Sequence, residues 1–476
     1  MRLFRRTTLI TIFCLSVLIG LGLARKTGFH QTGWVLLLAP ALLLLRRKNL
    51  VAAVLVVVLG LGIGLWRGGA YMQNVYQLRS LTERQVTITA TATTDSIYGK
   101  RGQIQFTGSN LHMIYPYQSP LAGSFKLSGF GELMIYRGDQ VQVTGKLFPS
   151  RGSNQATIAY AQLKTLSHGS SFIYDLTRKF QAGMQTALPE PQASFGLGLL
   201  IGQRSTLPAN ITAALTAVGL VHIVAVSGYN LTIIVRGVGR LKLGSKYQKL
   251  VISLSLIVGF VLVTGFSASI VRAAIVSTLS LWAWYYGRQL RPVVLITFAA
   301  ALTAMWNPYY LWGDIGWYLS FLAFFGVLVI APIISARFFK NEPKLLTMVV
   351  IETLSAELMT LPLILMTFSQ LSIIALVANA LVVPLVPLAM LLSAIAAGAG
   401  AIAPQIAGWL AFPARLLLTY MLDVVHLLSD IPTVLVRRSI SLEYMITIYA
   451  IVLATLVIAF RKLPKNRLKE PARITP

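Results

Sequence analysis

The chain has 476 residues, 56% of them hydrophobic and 12% charged, about half the charge of an average soluble domain, which excludes a single water-soluble fold. Its 41 Lys+Arg against 14 Asp+Glu leave a net charge of +27, pointing to an anionic membrane surface or a polyanionic partner. The lone Cys14 excludes an intrachain disulfide, the five histidines show no HxH or HExxH spacing, and GxxxxGK[ST] does not occur, so neither a metal, a cofactor nor a Walker loop is expected.

In chain order, the basic start is followed by an apolar run over 9–23, then by runs over 34–45 and 50–66 separated by Arg46-Arg47-Lys48. Such runs suit the roughly 30 Å hydrocarbon layer, and the first reads as an anchor rather than a cleaved leader because the others follow at once. These form an N-terminal membrane segment, 1–66. Residues 67–170 then change to polar sequence with period-two alternation. In 85–93 (QVTITATAT), Val86, Ile88, Ala90 and Ala92 share one face and threonines the other. Further strands are predicted over 103–106, 132–136, 140–147 and 155–163, about five in all, which suits a small Greek-key barrel of the OB type. Its candidate surface for a single nucleic-acid strand combines Phe106, Tyr115, Tyr117, Phe125 and Tyr136 with Lys100, Arg101, Lys126 and Arg137. The competing reading has most of these rings filling the barrel.

Nine more apolar runs follow within 171–460: 211–235, 250–266, 270–286, 293–306, 315–334, 345–368, 371–396, 406–428 and 444–460. The sequence thus predicts an α-helical polytopic membrane protein of about 12 membrane segments, some re-entrant or broken, with an inserted extracellular β-barrel. Placing the basic loops inside puts both termini and the basic tail 461–476 in the cytoplasm, and the barrel and the loop NPYYLWGD outside, with Arg25 and Lys26 as the exception. More than half of the 41 basic residues fall in those inner segments, so topology accounts for most of the charge.

Within the membrane part, 198–235 carries Gly219, His222, Ser227, Gly228, Asn230 and Thr232 in an apolar stretch. Backbone loosened there survives only against protein or a watered cavity, although tight packing explains small residues equally. Ser227 and His222 lie five positions apart, about 140° around a regular helix, so they form no catalytic dyad without a break. Arg272 is costly in an apolar run unless it faces a partner or an aqueous path; Glu352, Glu357 and Asp423 are its candidate structural partners. Asn379, followed by Pro384 and Pro387, marks another interrupted span.

GLLIGQRSTLP, GLVHIVAVSGYNLT, GFSASIVRAA, NPYYLWGDIGWYLSFLAFFG and LMTLPLILMTFSQLSIIALVANALVVP occur in this order. With the anchor and barrel ahead of them they resemble the ComEC competence family, the inner-membrane channel for single-stranded DNA in natural transformation. The resemblance implies a non-enzymatic channel with Ser227, Gly228, Asn230, Arg272, His222 and Asn379 as candidates for the DNA path. It implies single-stranded DNA and the bilayer as partners, together with an external DNA receptor, a cytoplasmic helicase-like ATPase and a separate nuclease. That last expectation arises because the zinc-binding metallo-β-lactamase-like domain common in the family does not follow residue 460. Paired cysteines are also missing from the barrel, and Glu357 stands where a neutral residue is expected. Two other functions fit less of the sequence: a secondary transporter or exporter of a small anion, and a membrane-embedded serine hydrolase built on Ser227.

Overall fold

The computed structural model describes residues 5–27, 50–99, 102–121, 123–149, 154–203, 206–224, 231, 235, 237–238, 245–265, 268–287, 291–339, 343, 345–432 and 434–462. Among these, eight helices are long and apolar enough to cross a membrane: Arg6–Lys26, Leu50–Gln73, Lys246–Thr264, Ile315–Phe338, Thr347–Phe368, Ala375–Ile402, Pro404–Ser429 and Leu442–Ala459. The expected run 34–45 lies outside the described residues. The chain divides into two compact units, Met1–Tyr174 with Val293–Tyr318, and Asp175–Pro292 with Leu319–Pro476. The segment holding NPYYLWGD therefore groups with the anchor and the sheet, which its place in the sequence conceals.

In the first unit, helices α1 (Arg6–Thr27) and α2 (Leu50–Arg79) pack closely. Gly60, Gly64 and Gly68 recur every fourth residue on α2 and so share one face. A Cβ on Gly60 would lie 2.7 Å from Ser16 Cβ, and one on Gly64 would meet the backbone of Val17 and Leu21. In lipid, such backbone proximity supplies the association that the hydrophobic effect supplies in water. Helix α2 continues past the predicted end at residue 66 to Arg79, because 67–79 keeps an apolar face of Tyr71, Met72, Val75 and Leu78 that is buried.

The strands are β1 (Gln85–Ala92), β2 (Ile97–Tyr98), β3 (Ile104–Tyr115), β4 (Ser119–Leu121), β5 (Phe125–Phe130), β6 (Gln140–Pro149) and β7 (Ala156–Ser167). Pairing runs β1-β6-β7-β5-β3 and closes through β3 onto β1, with β5 and β7 parallel and the other neighbours in the ring antiparallel. Five strands thus form a closed barrel around Val86, Ile88, Phe106, Phe125, Leu127, Val141, Val143 and Ile158. Closure removes exposed sheet edges. The expected strand over 132–136 is absent: the segment crosses the end of the barrel, Ile135 is buried, and its N–H donates to Ser96 Oγ at 2.9 Å. The strand over 125–130 takes its place, a six-residue piece enclosed by Gly123 and Gly131.

The second unit contains α3 (Phe172–Ala187, from Asp175 on), α4 (Gln192–Ile201), α5 (Ala209–Ala217) and the single turn α6 (Val221–Val224). Then come α7 (Lys246–Thr264), α8 (Ala268–Tyr285), α11 (Ile315–Phe338, from Leu319 on), α12 (Leu345–Phe368), α13 (Ala375–Val382), α14 (Val386–Ile402), α15 (Pro404–Ser429) and α16 (Leu442–Lys462). Its principal core joins α4, α5 and α6 to α13, α14 and α15. The numbers α9 (Pro292–Trp306) and α10 (Tyr309–Gly313) fall in the first unit.

Candidate functional site

The barrel reassigns the candidate aromatics. Phe106 and Phe125 are 3% and 0% exposed and fill the interior, so neither contacts a ligand. Strand alternation forces this, since both sit on the inward period of their strands. Tyr115 and Tyr117 are exposed at the far end of β3, where Tyr115 pairs with Thr87. Arg137 lies at the opposite end, its guanidinium 5.5 Å from the ring centroid of Tyr174 and its N–H donating to Asp95 Oδ1. Lys126 is exposed on β5, whereas Lys100 and Arg101 lie outside the described residues. Among the described residues, Tyr115 and Tyr117 thus lie at one end of the barrel and Arg137 at the other.

A patch that the sequence did not announce surrounds Tyr160. Between Thr144↔Gln162 and Lys146↔Ala159, strand β7 places Tyr160 and Ala161 opposite the single Gly145, which is a β-bulge. Tyr160 adopts φ 55° and is 72% exposed. A Cβ on Gly145 would lie 2.9 Å from Ala161 Cα, and one on Gly129 on the other flank would come closer still, 2.0 Å from Ala161 O. Glycine on both neighbouring strands lets the bulge close up. Phe130, exposed and paired with Gln162, and the exposed Lys126 and Lys146 lie on the adjoining strands. A left-handed residue costs about 1–2 kcal/mol, and little ring burial offsets it here.

In the same unit, NPYYLWGD is tied to the parallel helices α1 and α2. Arg67 Nε donates to Met305 O at 2.9 Å and Nη2 to Trp306 O at 3.2 Å, satisfying carbonyls at the end of α9. Tyr71 Oη donates to Asn307 Oδ1 at 3.0 Å and accepts from Gln155 Nε2 at 2.6 Å. Trp312 Nε1 donates to Leu21 O, and Arg25 Nη1 donates to Trp312 O, both at 2.9 Å. Arg25, the misfit of the charge rule, thus has a structural role at this end of α1.

The second unit contains the interrupted membrane segments. Helix α4 stops at Gly202, φ 73°, whose N–H donates to Gly198 O. After α5 the chain reverses at Gly219, φ 76°, where a Cβ would lie 2.8 Å from Ala375 Cβ. A side chain at Gly219 is therefore opposed by both backbone and neighbour. The turn α6 follows, with Val224 against Gly198 and His222 exposed, its Nδ1 3.1 Å from Gly219 O. The predicted span 211–235 is thus broken over its described part. Ser227, Gly228 and Asn230 lie outside the described residues.

From the other direction, the predicted run 371–396 opens with Leu371–Ser372 paired to Leu435–Val436 and is bent by a 3₁₀ turn, Val383–Leu385, at Pro384. Asn379 is 3% exposed, and its Nδ2 donates to Glu357 Oε1 at 3.0 Å. The acidic departure in SAELMTLP is thereby held by an amide. The first, second and fifth motifs meet around Gly198, Gly219 and Ala375, while NPYYLWGD belongs to the first unit. Arg272 is 2% exposed on α8, beside Ala273, which packs with Leu231, Val235, Ile257 and Leu281. Of its candidate partners, Glu357 accepts from Asn379 and Asp423 is exposed on α15.

Comparison with known proteins places these features. Residues 199–462 match the competence protein family. Over 310 residues the chain is 26% identical to the ComE operon protein 3 of Bacillus subtilis (strain 168), an alignment that covers 59% of this chain and 39% of that relative. No solved structure matches. A match over more than half its length, on a multi-pass helical frame, establishes that the chain belongs to the competence protein family.

Proposed function

We propose that this protein is the inner-membrane channel through which single-stranded DNA enters the cell during natural transformation. The observation that carries the reading is that the helical track ends at Gly202, turns at Gly219 and changes to a 3₁₀ turn at Val383–Leu385 within the stretch matching the competence family. A strand bearing one charge per nucleotide cannot dissolve in hydrocarbon, so its path needs water and polar walls, and broken helices supply both where they face a cavity. Arg272, Asn379 and His222, with Ser227, Gly228 and Asn230, are the candidates for that wall.

The barrel, read as an OB-type domain on the outer face, receives the strand. Its five-strand closed ring and the aromatic and lysine patch at Tyr160, Phe130, Lys126 and Lys146 support stacking of successive bases beside a cationic track. Tyr115, Tyr117 and Arg137 are candidates for its continuation. Both termini are cytoplasmic in this scheme, the chain performs no catalysis, and an external DNA receptor, a helicase-like ATPase and a separate nuclease complete the machinery.

The test is a deletion strain assayed for internalised labelled DNA. Uptake should disappear and return on expression of the chain; an unchanged rate in the deletion refutes the proposal.

A further inference from the structure

A cavity of ≈ 250 Å³ lies within the first unit, where helices α1 and α2, the barrel and α10 come together. Met72, Val75 and Leu78 from α2 meet Leu147, Pro149 and Ala156 from β6 and β7 as its aliphatic wall. Arg25, Thr82 and Gln155 interrupt this surface with polar side chains, and Tyr309 and Trp312 add rings with polar edges. Among the described residues, no carboxylate lines it. Arg25 is exposed and spends one donor on Trp312 O, and a guanidinium carries five.

Position limits what such a cavity accepts. Arg25 and Met72 stand at the same ends of two apolar helices, Arg6–Lys26 and Leu50–Gln73, so the cavity opens at the depth where lipid headgroups lie. The rings around it match that depth, since Trp and Tyr concentrate at this boundary. They are already engaged with one another edge to face, Tyr309 with Trp312 at 5.5 Å and Tyr71 with Tyr309 at 5.6 Å. A nucleobase seeking a stacking face finds them occupied. An acyl chain finds an aliphatic wall, and a phosphodiester finds a cation with no acid among the described lining residues.

We propose that this cavity binds the headgroup and glycerol end of one anionic phospholipid, with Arg25 on the phosphate, Thr82 and Gln155 on the glycerol oxygens and hydroxyls, and Val75, Leu78 and Leu147 on the first methylenes. Gln155 suits this role because its amide is fixed: it is 3% exposed, and Nε2 donates to Tyr71 Oη at 2.6 Å. Bound there, the lipid links the base of the barrel to α1 and α2, making the barrel's seating sensitive to membrane composition. The site lies outside the proposed DNA path and stands or falls without it.

The test is native mass spectrometry of the full chain in detergent, incubated in turn with phosphatidylglycerol, phosphatidylcholine, soluble glycerophosphate and an oligothymidine. One phosphatidylglycerol should remain bound, with phosphatidylcholine retained less. Arg25→Gln should lower retention by about tenfold, the worth of one charged hydrogen bond, and Val75→Trp should abolish it by filling the cavity. Arg25 is on the surface, so its variant tests the idea even if Val75→Trp does not fold. Equal retention in wild type and Arg25→Gln, binding of glycerophosphate as strong as that of the lipid, or displacement of bound phosphatidylglycerol by the oligothymidine would each overturn the assignment.

Discussion

The barrel with helices α1 and α2 and the helical unit handle backbone polarity in different ways. In the first, the strands close into a ring, Arg67 caps the end of α9, and Trp312 and Arg25 tie the NPYYLWGD turn to α1. In the second, α4 stops at Gly202 and the chain turns at Gly219, while the tracks Ile315–Phe338 and Ala375–Ile402 change to a π-turn at Gly326–Ile330 and a 3₁₀ turn at Val383–Leu385 without ending. Closed patterns make a rigid platform. Broken ones leave carbonyl and amide groups that need protein, water or a passing ligand, which is the condition a conduit must meet.

Substitutions that damage the broken region while sparing the platform should separate the two most sharply. Arg272→Ala should reduce DNA uptake about a hundredfold, the equivalent of about 3 kcal/mol for a lost charged hydrogen bond, and Gly228→Leu should reduce it by adding bulk to the proposed path, both at normal protein abundance. Gly219→Leu should match them, because its left-handed backbone and its closeness to Ala375 both oppose a side chain. Transformation frequencies at wild-type level in these variants would remove the second unit from the path.

The platform should respond in the opposite manner, losing stability before function. Gly64→Leu forces α2 away from Val17 and Leu21 and should cost on the order of 3 kcal/mol. The readout is a lower melting temperature in detergent and reduced abundance. A melting curve superimposable on wild type would show that the α1–α2 pair does not depend on this contact. A smaller effect is expected inside the second unit at Asn379→Leu, which leaves Glu357 without its amide donor. The cost should be about 1–3 kcal/mol, and Glu357→Gln, which keeps an acceptor, should be milder. Equal losses in the two variants would refute the hydrogen bond as the cause.

How far the sequence anticipated this arrangement follows from the range of the forces involved. Helices such as Pro404–Ser429 and Leu442–Lys462 appear in hydropathy because lipid selects apolar side chains locally. Strands β1, β6 and β7 appear because one buried face imposes period two. The missed strand Phe125–Phe130 is short and glycine-bounded, and its pairing with β7 is parallel and distant in sequence, so no local signal marks it. The exposed patch was hidden for a related reason. Nothing around Tyr160 indicates that β7 gains a residue there, because the bulge is defined by Gly129 and Gly145 on two other strands. Likewise, grouping 293–318 with α1 and α2 depends on contacts made by Arg67, Tyr71 and Trp312 across more than two hundred residues of chain.

That bulge supplies the most delicate comparison of rigidity with ligand contact. Tyr160 is 72% exposed at φ 55°, so Tyr160→Ala removes little packing and leaves the backbone strained. Tyr160→Gly also relieves the strain; stability should rise by about 0.5–1 kcal/mol, the left-handed penalty less the entropy of glycine in a strand. Both variants should weaken binding of a single-stranded oligonucleotide to the full chain by about 1–3 kcal/mol, the worth of one base stacked on an aromatic ring. Tyr160→Trp should restore it, and the affinity should fall as salt rises. Melting temperature and fluorescence anisotropy then move independently: the glycine variant melts later than the alanine variant yet binds no better. If oligonucleotide affinity instead follows stability across the series, the ring contributes only through the fold, and the DNA-facing surface of the barrel must be sought at Tyr115 and Tyr117.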